Sequence, residues 1–209
     1  TTGGDVTFGG SHQIIDTAAV TMSGSGSAFN GTGSNSGAFA VTETIASLTV
    51  TGGAFNTGFG GNWTITGAGS FAGGAGNTIF VGNSGSRQSF GSLSLTNMTG
   101  TGALGNNNFT IFGNSGVSQL TVENGGLFLE NSRIYLQHSN SSKLVLKGDV
   151  TTTGAGNNLI LDGNSGAGVI AMELSGNREF NIGTGTTLTV SVPITDNGAT
   201  TGSLSKSGE

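Results

Sequence analysis

The chain has 209 residues, enough for one domain with a sizeable core. Gly supplies 41 of them, Pro 1 and Cys 0, and 8 % are charged, against about 25 % charged and about 7 % Gly in an ordinary globular domain. A net charge of −5 with six scattered basic residues (Arg87, Arg133, Lys143, Lys147, Arg178, Lys206) argues against nucleic acid and against an electrostatic membrane anchor; without cysteine there is no disulfide or thiolate chemistry.

The elements are short. Val6-Thr-Phe8, Gln13-Ile-Ile15 and Ala19-Val-Thr-Met22 alternate apolar and polar residues as half-buried strands do. The Gly/Ser/Asn-rich stretch from Gly24 to Gly37 is read as a loop or a flexible insert. From Ala38 the beat strengthens through Phe39-Ala-Val41, Ile45, Leu48-Thr-Val50, Trp63-Thr-Ile65, Phe71, Ile79-Phe-Val81 and Leu93-Ser-Leu95. Phe109/Ile111, Leu120/Val122 and Leu127/Leu129 follow, then Ile134-Tyr-Leu136, Leu144-Val-Leu146, Leu159-Ile-Leu161, Val169-Ile-Ala171, Phe180-Asn-Ile182 and Leu188-Thr-Val190. No segment has the length or period of a helix, and no run of about 18 apolar residues could cross a membrane as one.

A corner phrase recurs. Ile79-Phe-Val-Gly-Asn-Ser-Gly85 returns as Ile111-Phe-Gly-Asn-Ser-Gly116 and as Leu161-Asp-Gly-Asn-Ser-Gly166, each time followed by a further strand. Asn83 and Asn114 are 31 residues apart (114 − 83), and Asn114 and Asn164 are 50 apart (164 − 114), which fits one rung and then two of about 25. The expected fold is therefore all-β: a right-handed parallel β-helix (β-solenoid) of about 7–8 rungs, each of roughly 20–30 residues and three strands. Residues 1–209 form a single domain, with less regular N-terminal coils over 1–37 and regular rungs over 38–209. Inward Ile, Val, Leu and Phe would stack into ladders, with Thr, Ser and Asn outside. The absence of an initiator Met and the abrupt end at Glu209 lead to the expectation that this is part of a longer chain.

Ile111-Phe-Gly-Asn-Ser-Gly-Val-Ser-Gln-Leu-Thr-Val-Glu-Asn-Gly-Gly126 resembles the repeats of bacterial autotransporter passenger domains. The tail Gly202-Ser-Leu-Ser-Lys-Ser-Gly-Glu209 resembles the lead-in to the autotransporter-associated β-strand repeat. The resemblance covers residues 77–209, and 1–76 by composition alone. It implies a parallel β-helix exported across the outer membrane and displayed on the cell surface or released; many such proteins are adhesins or stalks.

Candidate chemistry is sparse. His12 and His138 have no elbow-mounted serine beside them. Among the carboxylates, Asp149 near Lys147, with Asp162 a rung on, comes nearest to the grouped acids and bases of a polysaccharide-cleaving β-helix. Gly73-Gly-Ala-Gly-Asn-Thr-Ile-Phe-Val81 approaches a calcium-binding nonapeptide but has Thr78 where the carboxylate belongs. Thr42/Thr44, Thr49/Thr51, Thr64/Thr66 and Thr187/Thr189 could form the hydroxyl ladder of an ice-binding solenoid, but they are irregularly spaced. Phe55, Phe59 and Phe71 around Trp63 read as core in preference to a contact patch.

No catalytic, cofactor or metal residue is assigned, and no cofactor is expected. The expected function is a non-enzymatic extracellular structural and adhesive module of an autotransporter-like surface protein, with end-to-end assembly into fibres as one route. Its expected partners are neighbouring coils, copies of itself, and surface glycans or proteins. The alternative is a carbohydrate-active or glycan-binding β-helix of lyase or tailspike type; ice binding is third. Acids and bases grouped on one face of neighbouring rungs would favour the alternative.

Overall fold

Among the described residues, nineteen strands run parallel in one continuous sheet wound into a β-solenoid of about seven turns. The structure, a computed structural model, describes residues 4–31, 40–75, 77–82, 85–101, 106–113, 116–137, 141–163, 169–198 and 201–208. The strands are β1 (Asp5–Phe8), β2 (Ala19–Gly31), β3 (Thr42–Ile45), β4 (Ser47–Asn56), β5 (Asn62–Ala72), β6 (Ile79–Gly82), β7 (Arg87–Thr96), β8 (Asn108–Phe112), β9 (Val117–Val122) and β10 (Leu127–Glu130). They continue as β11 (Arg133–Gln137), β12 (Ser141–Leu146), β13 (Val150–Thr152), β14 (Gly156–Asp162), β15 (Val169–Leu174), β16 (Arg178–Ile182), β17 (Thr186–Val190), β18 (Ile194–Asp196) and β19 (Leu204–Gly208).

Each turn has three faces because apolar residues come in two or three alternating positions and then meet a corner. The first face is made by β1, the ends of β2 and β4, β6, β8, β11, β14 and β17. The second is made by β3, the starts of β5 and β7, β9, β12, β15 and β18. The third runs from the starts of β2 and β4 through the ends of β5 and β7 to β10, β13, β16 and β19. Register fixes the rung length. Phe55 pairs with Phe80 and Ile160 with Val190, so a turn takes about 25 residues at one place (80 − 55) and about 30 at another (190 − 160), within the range of solenoid repeats. The copies of the Gly-Asn-Ser-Gly phrase accordingly fall on successive turns and then two turns on. The Asn and Ser of each copy, and His138, lie outside the described residues.

One expectation is revised. Gly24 to Gly31 is not loop but the second half of β2. Ala28, Phe29 and Asn30 pair with Ala54, Phe55 and Asn56 after a register shift. Phe29 explains this: its ring stacks on Phe55 at 5.2 Å, and that burial outweighs the poor strand propensity of the Gly/Ser run before it. Thr32 to Gly37 lies outside the described residues.

The core is a set of ladders. On the first face Phe29, Phe55, Phe80 and Phe109 stack nearly parallel, with centroids 5.2, 6.1 and 4.2 Å apart. Phe71 packs edge-on against Phe80 and Phe109 at 5.2 Å each, and Trp63 edge-on against Phe55 at 5.1 Å. Trp63 is core, as its neighbours implied, and its Nε1–H donates to the Thr57 carbonyl at 3.2 Å, so the indole carries no orphan donor inward. Beyond Phe109 the ladders of the first and second faces are aliphatic: Ile134 pairs with Ile160, and Leu120 with Leu144 and then Met172. At the N-terminal end Glu43 occupies the register position of Trp63. It is fully buried, and its two carboxylate oxygens accept the N–H groups of Gln13 and Ile14 at 2.7 and 3.2 Å, which ties residues 13 and 14 across the end of the second face.

The corners explain much of the glycine. Between the second and third faces the chain of one turn lies almost on that of the next. A Cβ on Gly91 would collide with the carbonyl oxygens of Thr66 and Gly67. Between the third and first faces Asn97 and Asn131 adopt φ of 54° and 45°, and the Asn131 Nδ2 donates to Asn97 Oδ1 at 3.0 Å.

Candidate interaction face

The second face gathers charges that are far apart in sequence. Alternation turns Arg87 and Ser89 outward on β7, Gln119 and Thr121 on β9, Lys143 and Val145 on β12, and Glu173 on β15. Register stacks Arg87 over Gln119 over Lys143, and Ser89 over Thr121 over Val145 over Glu173. Glu123 and Lys147 follow β9 and β12 at the same edge, where Lys147 N–H donates to the Val122 carbonyl.

The polar contacts run from turn to turn. Lys143 Nζ lies 2.5 Å from Glu173 Oε1, and Lys147 Nζ lies 3.1 Å from Glu123 Oε1. Ser89 Oγ donates to the same Glu123 oxygen at 3.0 Å, and Arg87 Nη1 to Gln119 Oε1 at 3.4 Å. At the adjoining corner Arg178 Nη1 is 3.9 Å from Asp149 Oδ1, which also accepts the Glu179 N–H at 2.9 Å. Lys147 and Glu123 are 41 % and 34 % exposed, so that pair is held by water-screened attraction worth about 0–1 kcal/mol, whereas Lys143 and Glu173, 30 % and 12 % exposed, form the more buried pair. Three cations and two carboxylates thus share one surface, and the part-exposed Lys147–Glu123 pair can exchange partners with a polar ligand at small cost.

The residues singled out by sequence fall differently. Lys147 and Asp149 do not pair with each other, because Lys147 turns to Glu123 and Asp149 to Arg178. Asp162 is on β14, on the first face, away from both. Glu123, Lys143 and Glu173 were not picked out. Their signal was opposite charge one rung apart, at a sequence separation of 24 for Glu123 and Lys147 and of 30 for Lys143 and Glu173. His12 is exposed, and its backbone N–H donates to the Thr42 carbonyl. Thr78, at the would-be calcium position, is buried with its hydroxyl donating to the Ala72 carbonyl at 2.5 Å. Among the described residues no group of three or more His, Asp or Glu is placed to hold a metal.

The Thr pairs do not align. Thr42/Thr44 stack on Asn62/Thr64 and then on Arg87/Ser89, and Thr49 lies between Thr21 and Ser70. A cavity of about 410 Å³ opens at the last turn, lined mainly by Phe180, Ile182, Leu188, Val190 and Leu204, with Lys206 as its charged group.

No family model, no curated protein and no solved structure matches the chain.

Proposed function

We propose that the solenoid is a non-enzymatic extracellular structural and adhesive module, part of an autotransporter-like passenger carried on the bacterial surface. The observation that supports this reading is the mixed-charge second face, displayed on a rigid stack of paired turns. A periodic surface of individually weak contacts suits multivalent adhesion, in which linked sites raise overall affinity without any one being strong. Neighbouring coils, further copies of the chain and surface glycans are the partners this reading calls for, and end-to-end stacking on the exposed strand edges is a route to fibres.

Two experiments test it. Brief proteolysis of intact cells of the source organism should release fragments of this chain; fragments seen only after lysis would contradict surface display. Incubation with a panel of polysaccharides should leave their viscosity and reducing ends unchanged. Turnover would instead support the second reading, a carbohydrate-active β-helix, which the meeting of Glu123, Glu173, Lys143 and Lys147 on one face favours.

A further inference from the structure

We infer that the second face, from β7 to β15, binds an acidic polysaccharide lying along the solenoid axis. The inference rests on the adhesive reading above and names the ligand class of that surface.

Charge is distributed unevenly. The molecule is net −5, with six basic residues in all. Three of them, Arg87, Lys143 and Lys147, point out from this one face within three turns, against two carboxylates, Glu123 and Glu173. The face is therefore locally positive on a negative protein, which selects for an anionic ligand and orients it on approach.

Geometry selects a chain. Strands in adjoining turns are about 4.8 Å apart, so Arg87 and Lys143, two turns apart in one column, present their cations about 10 Å apart along the axis. Lys147 lies four residues after Lys143, beyond the Val145 column and at the edge of the face. An extended polymer with an acidic group on alternate units meets such a row repeatedly, whereas a compact anion meets one cation.

Chemistry selects a sugar. Between the cations stand part-exposed groups that hydrogen-bond hydroxyls: Ser89 Oγ, which donates to the Glu123 carboxylate at 3.0 Å, and the Gln119 amide, whose Oε1 accepts from Arg87 at 3.4 Å. Among the described residues, the large aromatics that could stack bases lie elsewhere: Trp63 is buried, Tyr135 is on the first face and Phe128 is on the third. Nucleic acid recognition would use such stacking; a hydroxylated, carboxylated or sulfated chain does not need it. The ligand's acidic groups would take Lys147 from Glu123 at small cost, because that pair is part-exposed, and would share Lys143 with Glu173, since an ammonium has three donors and the bond to Glu173 uses one.

The test is affinity electrophoresis in native gels containing polygalacturonate, dextran sulfate or neutral dextran. One or both acidic polymers should retard the protein and neutral dextran should not. The polymer that retards it distinguishes carboxylate from sulfate as the recognised group. Retardation should fade between about 0.1 and 1 M salt, as the screening length falls from about 10 to about 3 Å. The variant K143Q/K147Q should lose at least about tenfold in apparent affinity, the scale on which multivalent contacts reinforce one another. R133Q/K206Q, which removes the same net charge from other faces, should bind as the parent does. Circular dichroism establishes that both variants are folded. No retardation by either acidic polymer, equal retardation by neutral dextran, or equal loss in the two variants would overturn the inference. Depolymerisation of the retarding polymer would overturn the adhesive reading while leaving the binding face standing.

Discussion

The two halves of the solenoid keep the same three-faced rung by different means. Up to β7 the first-face column of the core is aromatic: Phe29, Phe55 and Phe80 stack, Trp63 and Phe71 close in edge-on, and no Lys or Arg occurs before Arg87. From β9 onward the ladders are mainly Leu, Ile, Val and Met, with Phe180 stacked on Val150, and ion pairs tie one turn's outer surface to the next. Rings stacked 4.2 to 6.1 Å apart match the sheet's own spacing, so an aromatic column locks adjacent turns from within. Where the columns are aliphatic, cross-turn charge pairs add a weaker outer tie. The first half puts its specificity into packing. The second leaves chemically useful groups on its surface, and it carries the candidate interaction face.

Substitutions should separate the halves by size of effect. Phe80 touches four rings, so Phe80→Ala should cost the most, about 3–5 kcal/mol in urea unfolding. A loss as small as that of a surface change would break the claim that rings carry the first half. Gly91→Ala forces a methyl against the Thr66 carbonyl and should cost about 1–3 kcal/mol, whereas Gly74→Ala, with open space around it, should be close to neutral. Glu43→Gln replaces an acceptor oxygen by a donor facing the Ile14 N–H, and about 1–3 kcal/mol should be lost. Hydrogen exchange at Gln13 and Ile14 would rise first; unchanged exchange there would show that the carboxylate is not what holds that segment. Smallest is Lys147→Gln, within about 1 kcal/mol, with Lys143→Gln somewhat larger because Glu173 is only 12 % exposed, and both should fade with salt. A salt-independent loss would mean these pairs are not surface ties.

The rung and its inward residues were legible because strand alternation and the Gly-Asn-Ser-Gly corner are local signals. Leu120-Thr-Val122 and Leu144-Val-Leu146 needed only their own sequence to be placed as strands with a buried side. The second half of β2 was not legible: Ser25, Gly26 and Ser27 signal a loop, and only the partner ring of Phe55, a full turn later in the chain, draws the segment into the sheet. The candidate interaction face was hidden for a related reason. Turns of unequal length do not fix which charges share a column, so Lys143 and Glu173 read as scattered until register placed them 2.5 Å apart. Asp149 and Lys147 were close in sequence, yet the corner between them turns each toward a different neighbour.

The most direct measurement is hydrogen–deuterium exchange of the intact chain with and without the acidic polysaccharide that retards it. Protection should be confined to peptides covering Arg87–Phe90, Val117–Glu123, Ser141–Lys147 and Val169–Leu174, with the aromatic half before β7 unchanged. Protection centred on the first or third face, or none at saturating polymer, would contradict binding on the second face.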